Sequence, residues 1–323
     1  MSSQTVVAFR RPGSDVPGSH TPELEGTTEP GDQSHKGASK ESTASRVVRV
    51  CLLMLAAVSI GFALNLAFVS RLEQNAAQYK ELARFRYELA AGTAPVSPVT
   101  AHRQIALGTP IALLSIPSLH LKQVVDEGTN SEVLQSGPGH LPSTVFPGGL
   151  GTSVIYGRAA TYGGPFSGIA QLRKGARILV TVQNGPSNTV VFRVTDIRTG
   201  DQRVPPIGTG GARITLVTAK ESDFVPSGVV YVDANIVGYP VPTQRPVVAP
   251  RNLPGDELPL ASDTGGIWVL ALWLLALAVL AACALWTWNR KGHVQAWIIF
   301  VGPLVLVGYL VADHASLLLP NLM

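Results

Sequence analysis

The long central stretch of this chain contains no cysteine. Only Cys51 and Cys283 occur in 323 residues, and each sits inside an apolar run. Everything between them is therefore without a disulfide, a thiolate metal site or a cysteine nucleophile. Charge is scarce too: charged residues make up 14% of the chain. The formal net charge of +4 is scattered, so no basic face points to nucleic acid. No metal and no cofactor is expected. What the chain has in excess is apolar residues, at 46%, with a mean hydropathy of +0.25. That composition asks for membrane-spanning segments before any fold.

Three runs are long enough, since a bilayer needs about 20 apolar residues. The first, Val50 to Val69, carries no charge and follows Arg46 and Arg49. It exceeds the apolar core of a secretory signal, and no Ala-x-Ala site follows, so it reads as an uncleaved anchor. The second runs from Ile267 to Trp288, with Trp268, Trp286 and Trp288 at its ends as interfacial aromatics. The third runs from Val294 to about Asp313. Between the last two, Asn289-Arg-Lys-Gly-His293 holds two positive charges and no acid, which reads as a cytoplasmic turn. A multi-pass protein of the cell membrane follows, with the N-terminus cytoplasmic and residues 70–266 extracytoplasmic. The flanks of the first run do not choose an orientation by themselves.

The segments between divide by composition. Residues 1–46 are rich in Ser, Thr, Gly, Pro and charge, and are expected to be a disordered cytoplasmic tail ahead of a first span at 47–70. Within 71–104, Leu72, Ala76, Tyr79, Leu82, Phe85 and Leu89 recur at helical spacing, predicting a juxtamembrane stalk helix that ends at Gly92. A short dimerising coil is the other reading. Six prolines between 240 and 265 predict a stiff linker back to spans at 266–288 and 294–313. Residues 105–239 hold short segments with period-two or β-branched character: 111–116, 121–125, 153–156, 177–182, 189–195, 212–218 and 229–237. Only 130–134 and 166–172 look helical. The fold class is mainly β, a closed or nearly closed barrel of about seven or eight strands with short helices, plus three transmembrane α-helices.

Several motifs in this domain occur in a fixed order. They are Ile111-Ala-Leu-Leu-Ser-Ile-Pro117, Val124-Val-Asp-Glu-Gly-Thr129, Gly137-Pro-Gly-His140, Pro147-Gly-Gly-Leu-Gly151, Val154-Ile-Tyr-Gly157, Thr161-Tyr-Gly-Gly-Pro-Phe166, Leu172-Arg-Lys-Gly175 and Ile214-Thr-Leu-Val-Thr218. This run resembles the sortase family, in particular the actinobacterial class E and class C types. The resemblance implies a β-barrel enzyme that cleaves a Leu-Pro-x-Thr-Gly type signal with a cysteine thiolate and joins the acyl group to an amine. A histidine would assist the cysteine, and an arginine would stabilise the oxyanion.

Carried over residue by residue, those roles fall on the wrong side chains. The family's histidine falls on Arg158, its cysteine on Ala219, and its arginine at about Ser227 or Gly228. No arginine lies between Arg213 and Arg245. A guanidinium cannot act as a base. A Thr218–Lys220 dyad is disfavoured because alternate strand residues share a face, which would place both opposite Ala219. His140 reads as structural. Leu141-Pro-Ser-Thr-Val145 imitates a sorting motif by chance, and Leu260-Ala-Ser-Asp-Thr-Gly265 reads as linker. Asp313 and His314 read as an interfacial pair.

The chain thus looks like a pseudo-sortase without catalytic residues, displayed from an actinobacterial-type membrane. It is expected to bind or scaffold in cell-envelope and surface-protein assembly. Arg158, Thr161, Tyr162 and Thr218 are the candidate peptide-binding residues. Expected partners are the membrane and a surface-protein or sorting-signal peptide or another sortase. A transpeptidase with a non-cysteine or partner-supplied nucleophile, and a structural subunit of a membrane complex, are the alternatives.

Overall fold

A long apolar run without proline lies near the start of the described residues. In the computed structural model it forms α1 (Thr43–Leu64), which passes through a π-helical turn at Asn65–Val69 into α2 (Ser70–Ala91). The structure describes residues 43–100, 103–183, 188–200, 202, 206, 210–220, 228–241, 249, 252–262 and 265–323. The expected tail therefore lies almost wholly outside the described residues, as does Ser227. Gly92 ends α2 in the left-handed conformation at φ 71°, its N–H bonding the carbonyls of Glu88 and Leu89. Of the apolar positions of α2, Leu82, Phe85 and Leu89 face protein together with Gln74 and Gln78, whereas Leu72, Ala76 and Tyr79 are exposed. Gln78 accepts from the Val124 N–H at 2.8 Å and donates to Ser136 O at 2.9 Å, while Phe85 and Ala94 pack against Val124. The predicted stalk is thus clipped along the barrel wall.

A two-residue hairpin, β1 (Val99–Thr100) and β2 (Arg103–Gln104), leads into the barrel. The barrel strands are β3 (Pro110–Ile116), β4 (Leu121–Glu127), β5 (Gly139–His140), β6 (Gly151–Tyr156), β7 (Arg177–Thr181), β8 (Thr189–Thr199), β9 (Ala212–Ala219) and β10 (Val229–Ile236). They close in the order β10-β8-β7-β3-β4-β5-β6-β9. All seven predicted strands are present. The eighth, β5, is two residues long and bridges β4 and β6, too short for a period-two signal. The helix α3 (Ser131–Ser136) is capped by the Asn130 side chain, which accepts from Val133 N–H at 3.0 Å.

Alternation splits the strands between two apolar clusters. Ile111, Ile155, Phe192, Ile214, Leu216 and Val232 fill the barrel interior. Their out-of-phase neighbours Val154, Tyr156, Val217, Ala219, Val229 and Tyr231 form a second cluster across β6, β9 and β10.

The apolar C-terminal region forms α4 (Ile267–Lys291) and α5 (His293–Ser316), joined at Gly292 and packed against each other. Among the described residues, three helices are long and apolar enough to cross a membrane.

Candidate functional site

The strand register gathers Arg158, Ala219 and Gly228 at one rim. β6 and β9 run parallel with Tyr156 opposite Val217, and β9 pairs with β10 so that Ala219 stands opposite Val229. Arg158 follows β6, Ala219 ends β9 and Gly228 precedes β10, so neighbouring strand ends carry all three. Gly157 locks the corner: its N–H donates to Val217 O at 3.0 Å, and its carbonyl accepts from Thr218 Oγ1 at 2.9 Å. A Cβ on Gly157 would lie 2.5 Å from the Phe166 ring, so the close crossing of the 158–166 loop requires glycine.

Arg158 is 0% exposed. Its Nε donates to Leu134 O at 3.2 Å, Nη2 to Ser131 O at 3.2 Å and Nη1 to Thr161 Oγ1 at 3.1 Å. The guanidinium lies 5.0 Å from the Tyr162 ring centroid. Among the described residues no carboxylate forms an ion pair with it. Burial pulls its pKa down to about 10, still leaving it charged at neutral pH. Its place is that of a strut tying α3 to the loop. Thr218 is buried in phase with Ile214 and Leu216, its hydroxyl spent on Gly157 O, whereas Ala219 belongs to the rim cluster. Tyr162 takes a positive φ of 49°, and its Oη lies 2.7 Å from Ser316 Oγ at the end of α5. His140 and Glu127 are both fully buried, with Nδ1 2.7 Å from Oε2; Nε2 donates to Val145 O at 2.9 Å. That histidine is held within the wall. Asp313 and His314 stand 3.9 Å apart near the end of α5, where His314 Nδ1 donates to Leu310 O at 2.9 Å.

The rim is covered from outside by two segments that sequence reasoning did not place there. Leu260 of the proline-rich stretch and Leu322 after α5 both pack into the rim cluster, Leu322 at 0% exposure. Ala159 N–H donates to Leu322 O at 2.9 Å, and Thr161 Oγ1 donates to Met323 O at 2.6 Å. Asn321, also fully buried, donates through Nδ2 to Asp256 O at 2.5 Å and Leu258 O at 3.2 Å. Its Oδ1 accepts from Ser131 Oγ at 2.8 Å. Beside it the Glu257 carboxylate accepts from Thr129 N–H and Oγ1. Burial raises the Glu257 pKa, against the lowering effect of those bonds. These contacts join residues far apart in sequence, and no periodicity or short motif foretells them.

At this rim the main-chain N–H groups of Ala159 and Thr161 are taken up by the carbonyls of Leu322 and Met323, and the side chains of Asn321 and Leu322 fill the space beside them. Among the described residues the rim carries no thiol and no free imidazole. Among the described residues no group of side chains has the makings of a metal site.

Several solved structures are similar to part of this chain. The sortase D5 transpeptidase of Clostridium perfringens superposes with a TM-score of 0.42 at 22% identity, covering 50% of this chain and 99% of that one. Sortase E of Streptomyces avermitilis gives 0.35 at 26% identity, covering 42% and 91%. A C. perfringens sortase C solved with the C-terminal cell wall sorting motif gives 0.38 at 19% identity, covering 57% and 99%. No curated protein matches the chain. The family model of the sortase domain matches residues 114–232, which run from within β3 to within β10, so the barrel of this chain is similar in sequence to the sortase domain.

Proposed function

We propose that this chain is a membrane-anchored, non-catalytic sortase-like protein that binds or scaffolds in cell-envelope and surface-protein assembly. One observation carries the reading. The rim where sortase chemistry would occur presents Arg158, Ala219 and Gly228, and Arg158 has its donors turned onto protein carbonyls and a threonine hydroxyl. A guanidinium cannot take a proton from a nucleophile, and a methyl side chain cannot attack a carbonyl. What survives is a groove shaped for main-chain contact, suited to a sorting-signal or surface-protein peptide.

The helices support the expected placement. α4 and α5 form an antiparallel pair whose turn at Gly292 lies at the end opposite the α5 terminus that meets the barrel at Ser316. If both cross a bilayer, Arg290 and Lys291 stand on the side away from the barrel. Lysine and arginine favour the cytoplasmic side, which puts the barrel outside.

Incubating the full-length protein in detergent with a fluorogenic Leu-Pro-x-Thr-Gly peptide and an acceptor amine should give no turnover above buffer. Turnover abolished by Thr218→Val would establish the transpeptidase alternative instead. The structural-subunit reading has its own support in the filled rim.

A further inference from the structure

After α5 the chain does not trail away. Leu318 and Leu319 continue in turns whose N–H groups bond Ala315 O and Ser316 O, each at 3.2 Å. Pro320 then opens a tight turn closed by Met323 N–H to Pro320 O at 3.0 Å, with Asn321 and Leu322 at its tip. Both tip residues are wholly buried, and both reach the rim. Asn321 satisfies its amide against Ser131, Asp256 and Leu258, while its N–H donates to Ala261 O at 2.8 Å. Leu322 enters the apolar cluster that includes Ala219, Tyr156 and Leu134. Main-chain bonds to Ala159 and Thr161 fix the turn from the other side.

We infer that Pro320–Met323 is a latch that closes the groove in cis, and that a peptide reaches the groove only when the latch leaves. The contacts have the form of peptide recognition: main-chain bonds for affinity, one polar and one apolar pocket for selection. The ligand class follows from the pockets. It is a peptide with a side-chain amide next to a branched aliphatic residue, the chemistry the latch itself presents. Tethering sets the competition, because a covalently linked occupant acts at a high effective concentration, on the order of millimolar. An outside peptide of equal intrinsic affinity is therefore excluded until something withdraws α5 or the turn. This inference rests on the proposal that the rim is a peptide groove.

The test is thiol accessibility in the full chain, in detergent, with Cys51 and Cys283 replaced by serine. Ala219→Cys places a reporter on the groove floor, where the native side chain is 5% exposed. With the latch intact, maleimide labelling should be slow. Adding Asn321→Ala and Leu322→Asp should speed it at least tenfold, and a Leu-Pro-Asn-Leu-Met peptide should then restore protection. Val232→Cys, in the barrel core, must stay protected in the latch variant, showing that the acceleration is not unfolding. Equal labelling rates with and without the latch substitutions would overturn the latch. Acceleration without protection by the peptide would overturn the ligand class. Turnover of a sorting peptide by the unsubstituted chain would sink the non-catalytic proposal while leaving these rates unchanged, so the two failures are separable.

Discussion

Asp126 shows how a single buried carboxyl sets a pH response. One carboxylate oxygen accepts from Ser136 Oγ at 3.0 Å and the other has no partner, while the residue is 1% exposed. Burial, the largest cause, pushes its pKa up to about 8. An unfolded aspartate titrates near 3.9. Between about pH 4 and pH 8 the folded state thus keeps a proton that the unfolded state has lost. Stability should fall as pH rises through that window and level off above it. Thermal unfolding of the detergent-solubilised protein should show a melting temperature declining from about pH 5 to pH 8. Asp126→Asn should flatten the decline and be the more stable form at the alkaline end. An Asn variant with the full decline would place the titration elsewhere. The place of Arg158 is less legible in the sequence than that of Ala219. That Ala219 lacks a nucleophile is plain from the letter alone. Where a guanidinium's donors go depends on Leu134 and Ser131, a helix away in sequence.

At the scale of elements, the corner after β6 depends on Gly157 more than on any hydrogen bond. Gly157→Ala would drive a methyl into the Phe166 ring, and overpacking of this kind costs about 1–3 kcal/mol. Chemical or thermal unfolding should show that loss, and pairing the change with Phe166→Leu should recover part of it. Full cost in the double variant would mean that the strain lies in the backbone and not in the ring. Elements of this kind were legible: all seven long strands follow from alternation and β-branching, and α2 stops at Gly92 as its spacing predicts. What escaped has a physical pattern too. β5 is two residues long, and its pairing is fixed by its neighbours on both sides. The proline-rich stretch reads as linker because its composition disfavours long helices and strands, yet Glu257 is anchored on Thr129, 128 residues away, and Leu260 packs into the rim cluster. Local propensity is silent about contacts of that range.

At the scale of the whole molecule, the arrangement of helices makes a topology that labelling can check. A cysteine at Gly292, between Lys291 and α5, should resist a membrane-impermeant maleimide in intact cells, whereas one at Asn188, in the loop between β7 and β8, should react; both measurements need the native cysteines replaced. The opposite pattern would invert the orientation proposed above. The helix that runs from α1 through the π-turn into α2 adds a mechanical consequence. At 1.5 Å per residue, the 22 residues of α2 extend about 33 Å beyond the apolar half, and they are bonded along β4 through Gln74 and Gln78. The barrel is therefore mounted on a mast, not hung from a string. Its height and azimuth are set by the tilt of the helix that carries it, so any force or lipid change that tilts the mast swings the barrel with it.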